Sequence, residues 1–227
     1  MRAMIDVPVV MLNVKAYRES MGASGMELAR ACERVAESTG VSVAICPQQT
    51  ELALICREVE IPVLAQHAEA FEAGARTGYV VLEAVKEAGA AGTLVNHSEH
   101  RMTIADIEAV VSRAKELGLC TVVCTSSVAT SRACAVFEPD FIAVEPPELI
   151  GTGIPVSKAE PEVVRRSVEA VKEISPGTRV LCGAGISTGE DVRAALELGA
   201  EGVLLASGVV KAERPEEVLL SLAKGAV

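Results

Sequence analysis

Aromatic side chains are scarce in this sequence: it holds no tryptophan, two tyrosines and three phenylalanines. Base-stacking platforms for single-stranded nucleic acid need such rings, so that class of function is disfavoured. Positive charge is also short, with 21 Lys and Arg against 31 Asp and Glu and a formal net charge of −10. Such a chain repels polyanions, which argues against nucleic acid and anionic membranes as partners. Long apolar runs are missing. The stretch 202–210 is strand-sized and broken by small residues, well below the ~18 residues of a membrane span. Asp6 arrives early and no small-residue cleavage site follows the apolar run 7–12, so no secretory leader is expected. The seven cysteines, at 32, 46, 56, 120, 124, 134 and 182, are odd in number and form no C-x-x-C pair. They read as reduced, buried thiols of a cytoplasmic protein. No clustered Cys and His ligands suggest a metal, and none is expected.

What is present is a regular alternation. The chain has 227 residues, 50% of them apolar, and no linker or composition shift divides it, so a single domain over 1–227 is expected. Short, nearly all-apolar runs read as strands: Val9–Leu12, Val41–Cys46, Pro62–Ala65, Gly92–Val95, Thr121–Cys124, Asp140–Val144, Arg179–Cys182 and Gly202–Ala206. Continuous rather than alternating apolar character fits parallel strands covered on both faces. Helical patterns lie between them. Ile104, Ile107, Val110, Val111, Ala114 and Leu117 recur at helical spacing behind a Thr103/Asp106 capping box. Ser157/Glu160 and Thr188/Asp191 read as further capping boxes, and Pro215 suits the first position of a last helix. Residues 52–59 and 127–136 read as two more helices. Eight strand–helix repeats averaging about 28 residues make an α/β fold of the (β/α)8 barrel type the leading reading, with a doubly wound sheet as the alternative.

Barrel enzymes keep their working residues at the C-terminal ends of the strands. Here the first strand runs into Asn13-Val14-Lys15, the fourth into Asn96-His97-Ser98-Glu99 and the sixth into Glu145. An amine, an imidazole and a carboxylate thus meet at one rim. The seventh and eighth strands run into Gly183-Ala184-Gly185 and Ala206-Ser207-Gly208. Small residues let backbone N–H groups approach an anion, and barrels often hold phosphate there. The segment Pro146 to Gly153 is stiff at one end and flexible at the other, as a lid on two hinges would be.

These motifs, together with Ile150-Gly151-Thr152-Gly153, occur in an order that resembles the triosephosphate isomerases over the whole chain. The short length and the lid sequence resemble the compact archaeal branch of that family. The resemblance implies a TIM barrel that interconverts dihydroxyacetone phosphate and D-glyceraldehyde 3-phosphate without a cofactor. It implies Glu145 as the base, His97 as the electrophile, Lys15 and Asn13 as charge and dipole beside it, and Glu99 as the partner that holds Lys15. It implies phosphate contacts from Ile150, Gly151, Gly183, Gly185, Ala206 and Ser207. The long segment 66–78, with Thr77-Gly78 at its tip, implies a homo-oligomer, dimer or tetramer. Val14, His67, His100 and Ala206-Ser207 depart from the family's usual residues. Three other readings compete: another phosphate-binding barrel enzyme, such as an epimerase or aldolase; a barrel kept as a binding module without turnover; and a metal hydrolase, for which His97 and His100 could be called ligands but no partner cluster supports them. A Schiff-base aldolase would need a lysine inside a middle strand, and strands five to seven have none.

Overall fold

The structure, a computed structural model, describes residues 5–146 and 155–227, with Val156 and Lys158 described by backbone alone. Eight strands form one sheet: β1 (Val9–Asn13), β2 (Ser42–Cys46), β3 (Leu64–Ala65), β4 (Gly92–Val95), β5 (Cys120–Thr125), β6 (Phe141–Val144), β7 (Arg179–Gly183) and β8 (Gly202–Leu205). Every pairing is parallel, in the order β2-β1-β8-β7-β6-β5-β4-β3. The two ends of that order meet at a bridge between Ile45 and Val63, which closes the sheet into a barrel. The helices are α1 (Ala23–Thr39), α2 (Leu52–Glu58), α3 (Leu82–Glu87), α4 (Ile104–Leu117), α5 (Val128–Ala135), α6 (Val156–Ala159), α7 (Pro161–Ile174), α8 (Gly189–Glu197), α9 (Ser207–Val210) and α10 (Pro215–Lys224). None of the helices among the described residues is long and apolar enough to cross a membrane.

The strands are apolar on both faces because each face meets a different core. One set of alternate residues fills the barrel: Val9 and Met11, Ala44 and Cys46, Leu94, Val122 and Cys124, Phe141 and Ala143, Leu181 and Leu204. The other set, including Val10, Leu12, Val43, Ile45, Val123, Ile142, Val144 and Val203, packs outward under the helices. Because side chains alternate with period two, Asn13 and Glu145 continue the inward set above Met11 and Ala143. The rim of the barrel is therefore laid out by strand parity.

The expected strands lie within two residues of those observed. The third is the shortest, two residues instead of the expected four. Pro62 has no N–H to give a ladder; its carbonyl accepts from Ile45 N at 3.0 Å, and Val63 forms the closing bridge with Ile45 while its own carbonyl accepts from Ala91 N at 2.7 Å. The Thr188/Asp191 capping box forms as expected; at α4 only half of the expected box forms, with the Thr103 side chain accepting from Asp106 N–H. The Ser157/Glu160 capping box does not. Pro161 takes the first position of α7, and Glu160 before it lies outside the helix as its N-cap with no side-chain bond. A residue preceding proline is held away from helical geometry, so Ser157 falls in the separate short helix α6.

Candidate active site

The C-terminal ends of β1, β4, β6, β7 and β8 surround a cavity of about 260 Å³. Asn13, Lys15, Tyr17, His97 and Glu145 line one part, and Ala184 to Ser187 with Leu204 to Gly208 line the other.

Glu145 directly follows β6, and its backbone N–H still donates to Thr125 O at 2.7 Å. The residue is only 6% exposed. Among the described residues its Oε2 has no hydrogen-bond partner. A buried carboxylate oxygen without a partner is costly unless a ligand satisfies it. Below it on the inward face lies Cys124, a buried thiol in hydrogen-bonding contact with Glu145; burial first, then this carboxylate, push the thiol well above its ordinary range. Cys124 therefore stays protonated and neutral beneath the carboxylate.

His97 is buried, and its Nε2 faces Glu145 Oε2 at 3.7 Å. The N–H of Glu99 donates to His97 Nδ1 at 3.2 Å. Glu99 Oε2 is also 3.6 Å from Nδ1, too long for a hydrogen bond. The backbone donor makes Nδ1 an acceptor, so a neutral ring carries its proton on Nε2, toward the cavity.

Lys15 has a left-handed backbone, φ 53°, which is strained for a side-chain-bearing residue. Three polar contacts hold it. Its N–H donates to Asn13 Oδ1 at 3.0 Å, its carbonyl accepts from Gln66 Nε2 at 2.9 Å, and its Nζ lies 2.8 Å from Glu99 Oε1. The same Gln66 amide also reaches Cys46 O at 3.0 Å. The Lys15 side chain is mostly covered, whereas Glu99 stands half in solvent. The amine is thereby aimed across the rim.

The small-residue turns behave differently from one another. Gly185, Ala206 and Ser207 line the cavity. Gly183 does not; it sits behind Glu145, where a Cβ would lie 2.3 Å from the carboxylate's Cγ. Ile150 and Gly151 lie outside the described residues, as does most of the lid segment. Tyr17, Ile186, Ser187 and Gly208 also line the cavity. Of these, Ser187 carried a legible signal, since it precedes the Thr188 cap; Asp191 Oδ2 accepts from both Ser187 N and Thr188 N, at 3.1 and 3.0 Å. Two of the departures from the family pattern meet beside the site. The rings of His67 and His100 stack at 3.7 Å and 14°. Burial, then the neighbouring His100, hold His67 below the ordinary histidine range.

A carboxylate, an imidazole and an ammonium at the mouth of a parallel barrel, beside a small-residue recess, define a barrel enzyme of the acid–base type. The sequence model of the triosephosphate isomerase family matches residues 8–225. The triosephosphate isomerase of Methanothermobacter thermautotrophicus is 58% identical over 217 residues, covering 96% of this chain and 95% of that one. The enzyme of the same name from Methanocaldococcus jannaschii is 56% identical over 216 residues, covering 95% and 99%. In fold, the crystal structure of triosephosphate isomerase from Bartonella henselae matches with a TM-score of 0.78 over 96% of this chain and 98% of that one, at 18% identity. The chain belongs to the triosephosphate isomerase family and is an isomerase of triose phosphates.

Proposed function

We propose that Glu145, His97, Lys15 and Asn13 carry the interconversion of dihydroxyacetone phosphate and D-glyceraldehyde 3-phosphate in glycolysis and gluconeogenesis. The observation that supports this most is the facing pair: an unpartnered, buried carboxylate oxygen 3.7 Å from a buried imidazole nitrogen. Glu145 takes a proton from C1 of the ketose, leaving an enediolate, and returns it to C2 to give the aldose. The C–H electron pair becomes the carbon–carbon double bond and the carbonyl oxygen on C2 gains the negative charge; the hydroxyl proton on O1 then passes to O2, and the O1 electrons form the aldehyde carbonyl as C2 takes up the proton. His97 Nε2–H donates to the two oxygens as that charge develops, and Lys15 supplies a full positive charge beside them. Asn13 orients Lys15 through its backbone. Only protons move, so no cofactor is called for.

The phosphate is assigned to Gly185, Ala206 and Ser207, with Ile150 and Gly151 from the lid. Small residues in the turn after β7 and at the head of α9, with no Lys or Arg in 183–187 or 206–210, support binding through backbone N–H groups. Gly183 is assigned to spacing Glu145 rather than to phosphate. We assign residues 1–227 to one catalytic domain. We further propose a homo-oligomer, dimer or tetramer: residues 66–81 hold no helix or strand and leave Phe71 and Tyr79 exposed on an arm from the barrel. A cytoplasmic location is favoured by cysteines that are all free, six of them buried.

The test is a coupled assay in both directions, with proton exchange followed by NMR in deuterated water. Turnover of both triose phosphates with deuterium entering at the exchanged carbon supports the assignment. A protein that binds phosphoglycolate but neither turns over substrate nor exchanges its proton is a binding module, and the assignment fails.

A further inference from the structure

We propose that Lys211, held on the ring of Tyr17 at the edge of the cavity, steers the dianionic triose phosphate into the site without touching it. This inference rests on the function proposed above and names how that site gathers its substrate.

The problem it answers is electrostatic. The chain carries a net charge of −10, and its substrate is a dianion at neutral pH. The turns assigned to phosphate hold no Lys or Arg. Among the described residues Lys15 is the sole cation lining the cavity, and its Nζ is paired with Glu99 at 2.8 Å. An ion pair is a dipole, whose field fades quickly with distance. The pair therefore acts on a bound ligand much more than on an approaching one.

Lys211 is arranged otherwise. It follows α9 directly, and its N–H donates to Ser207 O at 3.1 Å, one turn from a residue that lines the phosphate end of the cavity. Its Nζ stands 4.3 Å from the centroid of the Tyr17 ring. Tyr17 lines the cavity and Lys211 does not. Glu19, Glu27, Glu213 and Glu216 line the neighbouring groove with Lys211 and Arg34. No carboxylate of the described residues lies within 4 Å of the Lys211 ammonium; several other Lys and Arg side chains are likewise unpaired, and what sets Lys211 apart is its seat on a ring that lines the cavity. A ring face holds a cation through its quadrupole and leaves the full unit charge to act at a distance. The position is thus a positive charge with no carboxylate in direct contact, seated beside the phosphate end of the mouth, where focusing counts most.

The test measures kcat and kcat/KM from ~0.01 to ~0.3 M ionic strength for the parent, Lys211→Gln, Lys211→Glu and Lys211→Arg. Lys211 is exposed, and a thermal melt checks that each variant folds. At low salt Lys211→Gln is expected to lose about three- to fivefold in kcat/KM and Lys211→Glu about tenfold, with kcat within twofold of the parent. Lys211→Arg keeps the charge and the ring contact and stays near the parent. The differences shrink toward unity as screening shortens the field. Lys211→Glu within twofold of the parent at low salt overturns the proposal. So does a loss that appears in kcat or persists at high salt, since that marks a structural role. An inactive parent overturns the isomerase assignment itself, and the two failures are told apart by that control.

Discussion

Gly183 lies so close against Glu145 that a methyl group on its Cα would come within 2.3 Å of the Glu145 Cγ and 3.0 Å of its Oε1. The strand end of β7 is thus part of the mould that holds the carboxylate on β6. Glu145 is buried and cannot retreat into solvent. Gly183→Ala is expected to push the carboxylate from its position opposite His97, with a loss of kcat on the order of 10²-fold. Affinity for inorganic phosphate should change far less, because Gly183 does not line the cavity. Kinetics with phosphate as a competitive inhibitor separates the two. Unchanged kcat in a folded Gly183→Ala protein would show that the base tolerates displacement.

The Lys15–Glu99 pair makes a second prediction. Glu99 is half exposed, so the pair adds little to stability. Its value lies in aiming the amine. Lys15→Ala should cost both kcat and KM, and Lys15→Arg should also be poor, since a planar fork does not reproduce a point charge. Glu99→Gln should be milder, about tenfold in kcat/KM, with the melting temperature nearly unchanged. A large drop in melting temperature for Glu99→Gln would reassign the pair to structure.

Asp191 links stability to the site. Its carboxylate closes the capping box of α8 and accepts from the backbone of Ser187 and Thr188. Asp191→Ala should cost about 1–2 kcal/mol, the usual cost of losing a cap. It should also raise KM, because Ser187 belongs to the cavity wall and loses its anchor. Denaturant unfolding and steady-state kinetics on the same sample check both. Asp191→Asn, which keeps one acceptor, should recover most of the affinity.

Much of this is legible in the sequence, for a reason visible in Glu145. Strand side chains alternate strictly, so a polar residue two places beyond the inward Ala143 must face the barrel mouth, and β6 announces it with four buried residues in a row. His97 and Lys15 were legible in the same way, as reactive groups just past an apolar run. The turn glycines were harder. Gly183 and Gly185 look alike in sequence, yet one spaces the carboxylate and the other lines the cavity, and parity across neighbouring strands decides which. Tyr17 carried no signal, because a ring in a loop gives no periodicity; its place follows from Ser20, whose hydroxyl ties Val14 O and Tyr17 O together at 3.2 and 2.9 Å. The start of α7 departs from the Ser157/Glu160 pattern because Pro161 outweighs a good capping sequence.

His67 makes the fold sensitive to mild acid. Burial and the stacked His100 lower its affinity for a proton in the folded state. As pH falls through the ordinary histidine value near 6.5, the unfolded chain gains a proton that the folded chain resists. Stability contributed by the neutral ring is therefore full above that pH and is lost below it. The melting temperature should fall between pH 7.5 and 5.5, and His67→Phe, which keeps a stacking ring, should fall less. Equal slopes would place the acid response elsewhere.

Glu145 itself gives the sharpest prediction. Glu145→Gln keeps the size and most of the packing against Gly183 and Cys124 but removes the base. Turnover should then fall by at least the ~10²–10⁴-fold typical of a positioned acid–base group. Phosphate affinity should change little, since the assigned phosphate contacts lie after β7 and β8. Glu145→Asp keeps the charge but draws the carboxylate back by about 1 Å, a displacement worth ~10²-fold. The pair of variants separates charge from reach. If the carboxylate were simply a buried partner of His97, Glu145→Gln would preserve that contact by hydrogen bonding and leave turnover near the parent. Measuring kcat, inhibitor affinity and the melting temperature on both variants decides the matter. Near-parental turnover in a folded Glu145→Gln protein would remove Glu145 from the chemistry and, with it, the proton path from C1 to C2 assigned to this site.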